Sequence, residues 1–126
     1  MTVRMKWMPV LTTTCLLVTS AFSFGQAGPT TTEQRVENLS GVVYSTDADG
    51  TKHVQSDVIV AECLSRFRNC AMMTKTDAQG QFSVTSEQNS RVHYLQFLLP
   101  GYSEAQVRVT LAKGAGRLSV PLVSKY

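Results

Sequence analysis

Tryptophan occurs once in this sequence, at Trp7, and histidine twice, at His53 and His93. Neither histidine belongs to a His-x-His or His-x-x-Glu pair, so the spacing that lets two neighbouring side chains grip one metal ion is missing. No Cys-x-x-Cys redox motif is present. A glycine-rich phosphate loop and a nucleophile elbow are absent too. Apolar residues never recur convincingly at i, i+3 and i+4, which argues against an architecture of amphipathic helices. Asp47-Ala48-Asp49-Gly50 suggests a calcium loop, but the later oxygen ligands are lacking and Lys52 would oppose a cation. A turn is the better reading.

A strong charge imbalance is also lacking. The net charge is +3, and two of the basic residues, Arg4 and Lys6, stand at the extreme N-terminus. They precede an apolar run from about Trp7 to Phe24 and two small-x-small sites, Ala21-Phe22-Ser23 and Gly25-Gln26-Ala27. This is the pattern of a cleaved signal peptide over 1–27, and the run is short for a membrane anchor. Cys15 lies inside it with no lipobox before it. Cleavage would leave 10 basic residues against 9 acidic, so no basic stripe argues for nucleic acid. The expected chain is secreted or periplasmic, with no membrane span in its mature part. Its remaining length of about 100 residues is enough for one small domain. The stretch 28–38 is polar and aperiodic and predicts a flexible lead-in. The folded domain is expected over 39–126.

What is present from Leu39 onward is alternation. Segments "LSGVVYST", "DVIVAEC", "CAMMTKT", "QFSVTS", "RVHYLQFLL", "AQVRVTL" and "RLSVPLV" are separated by turn chemistry such as "DADG", "DAQG" and Pro100-Gly101. The pattern predicts an all-β fold, a seven-stranded antiparallel sandwich. Its inward set is Val43, Val58, Val60, Phe82, Val84, Leu95, Phe97, Val107, Val109, Leu118, Val120 and Leu122. Pro121 has no N–H and should sit on an edge strand or face away from the ladder.

The succession "GVVYSTDADG", "SDVIVAEC", "TKTDAQGQFSVTS" and "LQFLLPGYSEAQVRVTL" resembles the carboxypeptidase regulatory-like family. Its members are transthyretin-like (prealbumin-like) Greek-key β-sandwiches, also grouped with carbohydrate-binding-like folds. The resemblance covers 39–123 and is most specific at Thr76-Asp77-x-x-Gly80-x-Phe82 and Pro100-Gly101-Tyr102. The first reads as a tight hairpin whose glycine takes positive φ. The second kinks the end of a central strand and lays a tyrosine over the rim. The resemblance implies a non-catalytic secreted module with no cofactor and no metal. Enzymes on similar sandwiches are matched poorly. Intradiol dioxygenases pair two histidines through one residue, and Arg91 stands where the partner of His93 would be. Hydroxyisourate hydrolases end in Tyr-Arg-Gly-Ser, where this chain has Val123-Ser124-Lys125-Tyr126.

The chain departs from the family between its second and third expected strands, at "CLSRFRNC". With Cys15 assigned to the signal peptide, Cys63 and Cys70 remain as an even pair in an oxidising compartment, and a disulfide is expected. Placed at the end of one strand and the start of the next, they can face each other across an antiparallel ladder. The enclosed Arg66, Phe67 and Arg68 admit two readings. A stapled tip could grip an anionic glycan, a lipid head group or a protein partner of the envelope or extracellular space. Alternatively, Phe67 folds back onto the sandwich while the arginines stay solvated. The expected function is binding or structural support by a non-catalytic module. A carbohydrate-binding module is the alternative, and a metal-dependent enzyme on the same fold comes after it.

Overall fold

The computed structural model describes residues 28–125, so the expected signal peptide at 1–27 lies outside the described residues. Among these residues there is no helix. Nine strands are formed: β1 (Thr30–Val36), β2 (Ser40–Thr46), β3 (Lys52–Val54), β4 (Ile59–Ser65), β5 (Arg68–Lys75), β6 (Gln81–Ser83), β7 (Val92–Leu98), β8 (Ala105–Leu111) and β9 (Leu118–Leu122). They make two sheets. The larger has the order β1-β8-β7-β4-β5. In the smaller, β2 is central, with β3 and β6 sharing one of its edges and β9 on the other.

Alternation explains the core. All twelve residues expected to face inward are buried, joined by Val36, Leu39 and Ala105 in one cluster drawn from both sheets. Phe82 of the smaller sheet meets Phe97 of the larger edge-to-face, with ring centroids 5.2 Å apart. Pro121 is exposed on β9, whose only ladder partner among the described residues is β2. That leaves its missing N–H at a free edge, as expected.

Several expectations need correction. The stretch 28–38 is not a flexible lead-in, because β1 occupies most of it and ends in the fully buried Val36. Polar residues suffice there because β1 is an edge strand, held by main-chain bonds to β8. The described residues form nine strands rather than seven, with β1 and the short β3 added. Nor is it wholly antiparallel: β1 pairs with β8, and β2 with β9, in parallel. The reason is that the chain switches sheets twice at the same place. It leaves β1 for β2 and leaves β8 for β9, two crossings that run side by side. They are tied by Ala112 N–H to the Val36 carbonyl (2.8 Å) and Glu37 N–H to the Gly116 carbonyl (3.1 Å). The Gln34 side-chain amide completes the seam, donating to the Ser119 carbonyl at 2.8 Å and accepting its N–H at 3.2 Å. A β1 side chain thus caps the open edge of β9 much as a strand would.

The turn at Asp77-x-x-Gly80 forms as its residues dictate. Gly80 has φ +73°, and the Asp77 carboxylate accepts the N–H groups of Gln79 and Gln81 at 2.9 Å each. It is not a hairpin between paired strands, however. It carries the chain from β5 in the larger sheet to β6 in the smaller.

Candidate functional site

The bracketed segment forms a hairpin between β4 and β5. Cys63 and Cys70 are opposed in the ladder and joined by a disulfide. Beyond them Ser65 pairs with Arg68, leaving Arg66-Phe67 as a two-residue loop with φ of 44° and 66°. Positive φ at both central positions is the requirement of a type I′ turn, which Asn-Gly satisfies at little cost. Here two residues with bulky side chains fill it, and Asn69 is also at φ 55°. Arg66 and Phe67 each lose about 1–2 kcal/mol relative to a right-handed conformation, while asparagine tolerates it better. The disulfide beneath the loop opposes this strain by closing a short loop, a contribution of roughly 2–3 kcal/mol in the chain-entropy picture. Replacing both cysteines by serine should therefore lower the thermal midpoint by roughly 10–20 °C, read by circular dichroism on oxidised protein. An unchanged midpoint would show that the clip contributes nothing to stability.

Phe67 folds back. Its ring stands edge-to-face on Tyr94, centroids 5.2 Å apart and planes at 85°, and it is half-buried while Arg66 and Arg68 are exposed. The contact lies on the outer face of the larger sheet. Tyr94 and Gln96 alternate along β7 with the buried His93, Leu95 and Phe97, so they point away from the core. Strand register then sets two rows across this face. One runs Cys63, Tyr94, Arg108, Glu33, and the Arg108 guanidinium lies 3.6 Å from the Glu33 carboxylate. The next runs Ala61, Gln96, Gln106, Thr31. In that row Thr31 Oγ1 donates to Gln106 Oε1 (3.0 Å), and both glutamine amides donate to Glu104 Oε2, Gln106 at 2.8 Å. An aromatic pair clamped by a disulfide thus borders a ladder of amides and a carboxylate.

On the inner side of the same hairpin lies a cluster that sequence reasoning missed. Glu62 and His93 are almost fully buried, and His93 Nδ1 donates to Glu62 Oε2 at 2.7 Å. The same oxygen accepts Ser86 Oγ–H and Gln88 Nε2–H, each at 2.9 Å. Neighbouring strands bring Glu62 and His93 together although 31 positions separate them, a distance no local motif spans. The one available signal was a glutamate in the otherwise apolar "VIVAEC", where an unpaired charge would be costly. His53 lies elsewhere, its Nε2 2.6 Å from Asp47 Oδ2 in an exposed turn. In that turn Thr51 N–H donates to Asp49 Oδ1 (2.9 Å), a bond that holds the Asp49 carboxyl below its usual range. Asp47 and Asp49 thus serve turn geometry, with Gly50 at φ +89°. Among the described residues, no three His, Cys, Asp or Glu side chains are grouped closely enough to hold a metal ion. Searches of protein families, curated proteins and solved structures return no match to this chain.

Proposed function

We propose that the chain is an exported, non-catalytic binding module of the carboxypeptidase regulatory-like, transthyretin-like type. Its binding surface is the outer face of the larger sheet, from the Phe67–Tyr94 pair to the Gln96–Gln106–Glu104 ladder. The observation that carries this reading is the turn. Arg66 and Phe67 hold a left-handed geometry that asparagine and glycine would adopt with less strain, and a disulfide secures them there. Backbone strain retained in this way concentrates where side chains are needed for function. The family resemblance and the N-terminal signal pattern support export and a sandwich module.

The chemistry of the face fits a glycan. Sugar rings present C–H faces that pack on aromatic surfaces, and hydroxyl groups that exchange hydrogen bonds with amides and carboxylates. Arg66 and Arg68, exposed on either side of Phe67 in the chain, favour an anionic saccharide of the cell envelope or extracellular space.

A glycan array on oxidised protein tests the reading through two variants. Tyr94→Ala removes the ring at the centre of the face, and its binding should fall about 30-fold or more. Phe67→Gly retains a residue that accepts positive φ and deletes only the aromatic contact. Its binding should fall comparably while the fold persists. Binding that is indifferent to both changes places the site elsewhere. A protein captured from envelope extract with no glycan bound would assign a protein partner to the same face.

A further inference from the structure

Strand alternation sends the two halves of the stapled hairpin to opposite faces. Cys63 and Cys70 point outward, while Glu62 pairs with Ala71 on the inward side. A register shift between Val60 and Ala61 leaves Met73 as the extra residue on β5, a β-bulge. At this end the inner face is uncovered, with Leu64 65% and Met73 37% exposed. Between the hairpin and the segment before β7 lies a cavity of about 300 Å³. Leu64, Ala71 and Met73 supply apolar wall, Glu87 and Asn69 stand at its sides, and Gln88 and Glu62 complete its lining.

We propose that this cavity binds a primary ammonium group carried on an aliphatic stem. Glu62 provides the anchor. Its side chain is 3% exposed, and all of its hydrogen bonds among the described residues fall on Oε2, leaving Oε1 without a donor. A buried carboxylate oxygen without a donor is costly unless a hydrogen-bonding or cationic partner reaches it. Glu87 adds a second carboxylate to the lining, and the amide oxygens of Asn69 and Gln88 can accept remaining N–H donors. An ammonium has three donors and no acceptor, which suits this surrounding of acceptors. Methylene groups of the stem would lie along Leu64, Ala71 and Met73, as long cationic side chains do on apolar surface. A free alkylamine and a lysine side chain of another polypeptide share this chemistry. The inference is independent of the outer-face reading, because Glu62 and Cys63 project to opposite sides of β4.

Methyl-labelled methionine NMR tests it, with the Met73 methyl as reporter. Titration with n-butylammonium should shift that signal saturably, and N-acetylbutylamine, similar in shape but uncharged, should bind at least tenfold more weakly. A lysine-containing peptide compared with its side-chain-acetylated form separates the two sources. Binding of the peptide alone assigns a polypeptide partner; binding of the free amine as well assigns a small-amine site. Glu87→Gln, an exposed change that spares the core, should weaken binding roughly threefold. Leu64→Lys, which keeps the Met73 reporter, would bring its own ammonium to the cavity and should abolish the response to added amine. Equal shifts from charged and uncharged forms, or a Met73 signal unmoved by any of them, would overturn the proposal.

Discussion

Truncation of Glu62 to alanine is expected to destabilise the protein by about 3–5 kcal/mol, the range for removing one partner of a buried ionisable pair. The cause is what would be left behind. Three donors, from His93, Ser86 and Gln88, converge on one carboxylate oxygen at 2.7–2.9 Å. Without it, His93 keeps a polar ring nitrogen in a site that is 2% exposed, and each buried donor left unmade costs about 1–3 kcal/mol. Ser86 and Gln88 are only partly buried and can recover some of this from water. The double variant Glu62→Leu with His93→Leu removes the buried polar pair and should recover most of the loss. Urea denaturation of wild type, Glu62→Leu, His93→Leu and the double variant closes the cycle, with Glu62→Ala measured beside it. A Glu62→Ala cost under about 1 kcal/mol would contradict the buried network.

Gly41→Ala should be comparably severe, at about 3 kcal/mol or more, the upper end for overpacking. Gly41 lies in β2 opposite Leu118 of β9. A Cβ there would come within 2.6 Å of the Leu118 Cβ and 2.7 Å of its carbonyl carbon, with the carbonyl oxygen closer still. These neighbours are backbone and the root of a side chain, so no rotamer change relieves the clash. Separating β2 from β9 would disturb the seam where the chain crosses between sheets. Gly116→Ala is the control, because nothing lies within 4 Å of its added methyl. It should stay within about 0.5 kcal/mol of wild type. Similar thermal midpoints for the two variants would contradict the close approach of β2 and β9.

The core was legible in the sequence because burial follows period two, and Val43, Phe97 and Val107 each sit on an unbroken alternation. The disulfide was legible because Cys63 and Cys70 fall at the end of one strand and the start of the next, where an antiparallel ladder sets them opposite each other. Less legible was anything set by contacts distant in sequence. β1 carries a polar face and joins β8 through its backbone, so its hydropathy resembles that of a linker. Paired sheet crossings make two pairings parallel, and no single strand records that arrangement. Turn type failed for another reason. The rules for a two-residue I′ loop look for asparagine and glycine, and Arg66-Phe67 carries neither. Phe67 stood out in the sequence between its two arginines, but its neighbour Tyr94 and the amide ladder became visible only through strand register.

The central claim is that the stapled hairpin and the outer sheet face form one recognition surface. Backbone amide NMR of the oxidised protein, titrated with the glycan that gives the strongest array signal, tests it most directly. The expected result is a saturable set of shifts concentrated at Phe67, Tyr94, Gln96, Gln106 and Arg108, lost in Phe67→Gly. Shifts confined to other surfaces, or an undiminished response in Phe67→Gly, would contradict it.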